Sequence, residues 1–88
     1  MIIKKGTLVY VRWHDAEVIS GWTNEDDATL ADHDSTICET VGYLVKAPTK
    51  RDPMYIVAAT RAMDDGKPQY NAITKIPKAW VEEIKELV

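Results

Sequence analysis

Three stretches of this chain alternate apolar and polar positions with a period of two, the signature of strands with one covered face. In residues 7–13, Val9, Val11 and Trp13 alternate with Leu8, Tyr10 and Arg12, and Gly6 punctuates the start. From Ile37, the positions Ile37, Glu39, Val41, Tyr43 and Val45 alternate with Cys38, Thr40, Gly42 and Leu44. A glycine in mid-strand predicts a bulge or a close backbone approach at Gly42. Residues 54–63 set Ile56, Ala58 and Thr60 on one face and Tyr55, Val57, Ala59 and Arg61 on the other. Asp65-Gly66 follows at once, a strong hairpin signal, and residues 69–76 are the returning strand.

The two remaining segments do not alternate. Residues 14–36 are polar and poor in core formers, which predicts a long loop with room for one short strand or helical turn, and loops of that length inside a small domain are usually functional or mobile rather than inert. At the C-terminus, Pro77 suits a first helical position and Trp80, Ile84 and Leu87 fall at helical spacing, so propensity favours a short helix. The competing expectation is a tight turn at residues 77–80 followed by a closing strand, because twelve residues barely suffice for a helix. Four or five short strands of this kind predict a mainly β fold, a small SH3-like antiparallel barrel with a C-terminal turn or short helix. With 88 residues in all, it forms one domain spanning 1–88.

Charge changes the picture more than composition does. The net charge of −3 is the sum of unequal parts, +3 over residues 1–14, −8 over residues 15–39 and +2 over residues 40–88. Residues 15–39 contain no lysine or arginine. An acidic total argues against long nucleic acids as partners. Apolar runs are far shorter than the roughly 20 residues that span a bilayer, so no membrane is expected and a cytoplasmic location is. The single cysteine, Cys38, has no partner for an internal disulfide.

Candidate chemistry is sparse. His14, Asp15, Asp32, His33 and Asp34 are all metal-ligand types, but they lack a spacing that fixes them on one face, and no metal or other cofactor is expected. Cys38 and Ser20 lack a nucleophile signature, and the four glycines are not spaced as a phosphate loop. The chain therefore reads as a non-enzymatic binding protein.

Four motifs in order, Trp13-His14-Asp15, Gly21-Trp22, Val41-Gly42-Tyr43-Leu44 and Ile76-Pro77-Lys78-Ala79-Trp80, resemble a recurrent group of small bacteriophage and prophage proteins. The resemblance runs over nearly the whole chain. It implies a virus-encoded accessory protein acting inside a bacterial host cell, where proteins of this size work by binding a host enzyme or a signalling nucleotide.

Two binding surfaces follow, both expected in a homo-oligomer. In the first, Trp22, Tyr43, Tyr55, Lys50, Arg51 and Arg61 form a pocket in which rings stack on a base and cations meet its phosphates, sequestering a nucleotide immune signal as an anti-defence protein. In the second, the acidic loop, with Asp26, Asp27, Asp32 and Asp34, engages a basic host protein or a nucleic-acid enzyme through charge complementarity. A structural or accessory virion protein is the remaining alternative.

Overall fold

Among the described residues, alternation and turn chemistry together produce an all-antiparallel sheet of five strands. The computed structural model describes residues 2–15 and 36–87. In chain order the strands are β1 (Leu8–Asp15), β2 (Thr36–Lys46), β3 (Met54–Asp64), β4 (Lys67–Pro77) and β5 (Val81–Glu86). A single 3-10 turn, Lys78–Trp80, separates the last two. Their order in the sheet is β4-β3-β2-β1-β5. Among the described residues β4 and β5 do not pair, so the sheet is open where a closed barrel is expected. The physical reason lies in the 3-10 turn, which carries the chain away from β4 to the far edge of β1. A hydrogen bond from the Lys78 amide to the Pro53 carbonyl, 2.9 Å, anchors that turn below the β2–β3 connection.

The core is small and lies on one face of the curled sheet. Val9 and Val11 of β1, Leu44 of β2, Val57 of β3 and Ile76 of β4 are fully buried, with Ile3, Trp13, Tyr55, Val81 and Ile84 packed against them. Trp13 also stacks on Trp80, with ring centroids 6.5 Å apart, and donates its indole N–H to the Thr40 hydroxyl at 3.0 Å. The alternate face of β1 and β2 is exposed, and there Leu8 pairs with Tyr43, Tyr10 with Val41, Arg12 with Glu39 and His14 with Ile37.

The C-terminal helix favoured by propensity does not form. Val81–Glu86 instead pairs antiparallel with β1, and the register shifts between Arg12 and Trp13. Glu83 lies opposite Arg12 and Val81 opposite Trp13, leaving Glu82 as the extra residue of a bulge. One extra residue reverses strand parity, so Val81 and Ile84, three apart, both face the core. Three-residue spacing of apolar positions imitated a helix. The open edge of β1, with its unpaired amides, decides in favour of a strand.

The two glycine signals behave as their chemistry requires. A Cβ on Gly42 would stand 2.5 Å from the Ala58 carbonyl oxygen and 2.8 Å from Val57 Cγ1, so β2 and β3 touch backbone to backbone there. Asp65 and Gly66 both have positive φ, 52° and 78°, the two-residue turn that matches strand twist. The strands flanking residues 14–36 are longer than expected, taking in His14, Asp15 and Thr36, and the rest of the acidic loop lies outside the described residues.

Candidate functional site

The expected pocket residues occupy two separate places along β3. Tyr43 and Arg61 come together: the Arg61 guanidinium carbon sits 4.3 Å from the centre of the Tyr43 ring, and Nη1 donates to the Gly6 carbonyl at 3.2 Å. Gly6 is brought there by its own amide, which donates to the Leu44 carbonyl at 2.7 Å. The ring face of Tyr43 is thus taken by a cation of the same chain. Tyr55 is six residues from Arg61 on the same extended strand, roughly 20 Å away. Lys50 and Arg51 are exposed on the turn between β2 and β3 and do not join Tyr43 and Arg61. That turn is ordered by the Thr49 amide donating to the Asp52 carbonyl, 2.9 Å, and by the Asp52 amide donating to the Thr49 hydroxyl, 3.0 Å. Lys46 Nζ reaches the Asp52 carboxylate at 3.6 Å. Trp22, Asp26, Asp27, Asp32 and Asp34 lie outside the described residues.

The Tyr55 end contains a groove of about 520 Å³. Ile2, Ile3, Leu44, Ala47, Pro48 and Ile84 make its walls apolar, and Tyr55 and Lys78 bring polar groups to it. Each is placed by a local feature already described. Leu44 is a core position and Ile84 packs against the core, Ala47-Pro48 begins the β2–β3 connection, and Lys78 opens the 3-10 turn. Strand periodicity missed the groove because no single strand builds it. The signals available were the apolar Ile2-Ile3 pair ahead of Lys4-Lys5 and the lysine of Ile76-Pro77-Lys78.

No family model matches this chain, and no curated protein or solved structure does. What it can do must be read from its own geometry. Among the described residues no three His, Cys, Asp or Glu side chains gather to hold a metal, and no helix is long and apolar enough to cross a membrane.

The exposed face of β1 carries two charge clusters of a different kind. The Tyr10 hydroxyl donates to Glu39 Oε2 at 2.7 Å while Lys85 Nζ lies 5.1 Å from the centre of the Tyr10 ring. The carboxylate acceptor holds the phenol proton and raises the Tyr10 pKa above its ordinary 10.0. Glu82, the bulge residue, meets His14 Nε2 at 2.8 Å and Arg12 Nε at 3.6 Å, which fixes the bulge against β1. Such half-exposed pairs each contribute at most about 1 kcal/mol, so they orient the strand more than they stabilise it.

Proposed function

We propose that this chain is a non-enzymatic binding protein that captures a small nucleotide in the groove at the Tyr55 end of β3. The observation that carries the reading is the groove's chemistry. Its volume, about 520 Å³, falls within the roughly 300–1,000 Å³ of small-molecule pockets, and its walls are apolar with few polar groups, as in such pockets. The Tyr55 ring is a stacking partner for a base and Lys78 a cation for its phosphate, while Lys50 and Arg51 are exposed on the β2–β3 turn outside the groove lining, within reach of a ligand that extends past Ala47-Pro48. A phenol, two ammoniums and a guanidinium suit holding an anion.

The likeness to small phage proteins supplies the setting, an anti-defence protein that sequesters a nucleotide immune signal in the cytoplasm of a bacterial host. An SH3-like arrangement is part of the proposal. It is supported by β1 pairing with both β2 and β5, by the consecutive β2, β3 and β4, and by the 3-10 turn ahead of the last strand.

Calorimetry against a panel of cyclic and linear nucleotides tests this directly. Saturable heat is expected from at least one member, with affinity about tenfold weaker in Tyr55→Ala and in Lys78→Ala, a loss of roughly 1.4 kcal/mol each. Silence across the panel with protein at about 100 μM would overturn the reading.

A second reading rests on the charge of −8 over residues 15–39, which favours a basic host protein as partner. Such a complex loses its association rate steeply between low and high salt and is recovered by pulldown at low salt, whereas a nucleotide bound in the groove requires no protein partner.

A further inference from the structure

Past Gly42 and Ala58 the sheet divides into two ribbons, β1 with β2 and β3 with β4. Among the described residues no strand pairs with β3 over residues 59–64 on the side away from β4. Strand parity determines which amides that edge presents. The two-residue turn makes Asp64 and Lys67 a hydrogen-bonded pair, so Asp64, Ala62 and Thr60 direct their amides at β4. Met63 and Arg61 direct theirs at the open edge. Pro68 agrees with this parity, since it lies opposite Met63, where no ladder bond needs its missing N–H.

The edges of the molecule differ in how they are guarded. β4 carries Pro68, Lys75 and Pro77, and β5 carries Glu82, Glu83, Lys85 and Glu86, devices that discourage added strands. Residues 59–63 hold no proline and one cation, and that cation is turned back onto Tyr43 and Gly6. Residues 59–69 are exposed on both faces of their ribbon, although a two-stranded ribbon alone is only marginally stable in water.

We propose that the open edge of β3 pairs antiparallel with the same edge of a second copy, about a two-fold axis through Ala62. Of the registers that parity allows, one centred on Arg61 sets two guanidinium groups opposite each other, and one centred on Met63 sets Thr60 against the turn. Centring on Ala62 places Arg61 opposite Met63 and Thr60 opposite Asp64, each twice, and opposes no like charges. The Arg61 and Met63 amides and carbonyls then exchange four backbone hydrogen bonds across the axis, and each Thr60 hydroxyl meets a carboxylate. The ribbon becomes four strands wide, which supplies the neighbours it lacks. This pairing does not depend on the groove, which lies at the other end of β3, so failure of nucleotide binding leaves it standing.

Sedimentation over a wide concentration range, with cysteine cross-linking, tests the proposal. The apparent mass should rise from 9.9 kDa toward twice that value, and Met63→Pro, which removes an edge amide while sparing the β3–β4 ladder, should stay monomeric with unchanged circular dichroism. If Met63→Pro does not fold, Met63→Lys, which sets a charge against Arg61 of the second copy, gives the same readout. In a Cys38→Ser background, Ala62→Cys should form an intermolecular disulfide with diamide as oxidant, since opposed non-hydrogen-bonded Cα atoms lie about 4.5 Å apart. Thr60→Cys, about four residues out of register with its copy, should not. A wild-type protein that stays monomeric throughout, an edge variant that self-associates as tightly as wild type, or Ala62→Cys linking no better than Thr60→Cys would overturn it.

Discussion

Val57 and Met63 lie six residues apart on one continuous strand, yet the first is 1% exposed and the second 63%. Both are large, apolar and suited to a pleated surface, so intrinsic preference does not separate them. Their neighbours do. Val57, a core residue, has Leu44 of β2 on one side and Thr74 of β4 on the other, whereas among the described residues Met63 has Pro68 of β4 alone. The strand half that is sandwiched makes the body of the protein, and the half with one partner makes a projecting arm. What an apolar residue contributes here depends on how many strands flank it.

Truncation measures that difference most strongly. Leu44→Ala, in the body, should lower unfolding free energy by about 3 kcal/mol in urea titration, while Met63→Ala in dilute solution should change it by less than about 0.5 kcal/mol. Equal losses would erase the distinction between body and arm. Gly42→Ala comes next. A methyl group forced against the Ala58 carbonyl must push β2 from β3 at the point where the ribbons part, and a loss of about 2 kcal/mol is expected in the same titration.

Ala72 has a smaller effect of opposite sign. It holds φ at 56° where the arm leaves the body, with its amide donating to Asn71 Oδ1 at 2.6 Å. Glycine tolerates that conformation without a Cβ clash, so Ala72→Gly should raise stability by about 0.5 kcal/mol if the base of the arm unfolds together with the body. No change in the thermal midpoint would mean that the arm melts separately.

The smallest effect belongs to the exposed face of the body. Tyr10 holds its proton more tightly than an ordinary tyrosine because its hydroxyl donates a hydrogen bond to the Glu39 carboxylate. A raised folded pKa favours the folded state below the unfolded value, and that contribution fades as pH rises through the folded one. Phenolate absorbance should place Tyr10 above its ordinary range in the wild type and nearer to it in Glu39→Gln.

Much of the body was legible in the chain. Val9, Val11 and Trp13 face inward as their alternation predicts, Asp65-Gly66 turns the hairpin, and Gly42 marks a backbone contact. Reading failed where two features produce one pattern. Val81 and Ile84 are three apart because Glu82 bulges, and a bulge leaves no mark distinguishable from helical spacing. The candidate site was only partly legible for a related reason. Tyr43, Tyr55 and Arg61 share a short stretch of sequence and a chemistry, but an extended strand separates what a helix would have gathered, so Tyr55 joined the groove and Arg61 joined Tyr43. Lys78 and Ile3 entered the groove from distant segments that no local pattern connects.

The most direct measurement is amide hydrogen exchange along β3 at two protein concentrations, since parity assigns each amide a different fate. Val57 should be protected at both. In dilute protein Ala62 and Asp64, bonded to β4, should exchange more slowly than Arg61 and Met63, and concentrating the protein should protect Arg61 and Met63. Exchange at Arg61 and Met63 that is slow even in dilute protein, or that ignores concentration, would contradict an open edge waiting for a second copy.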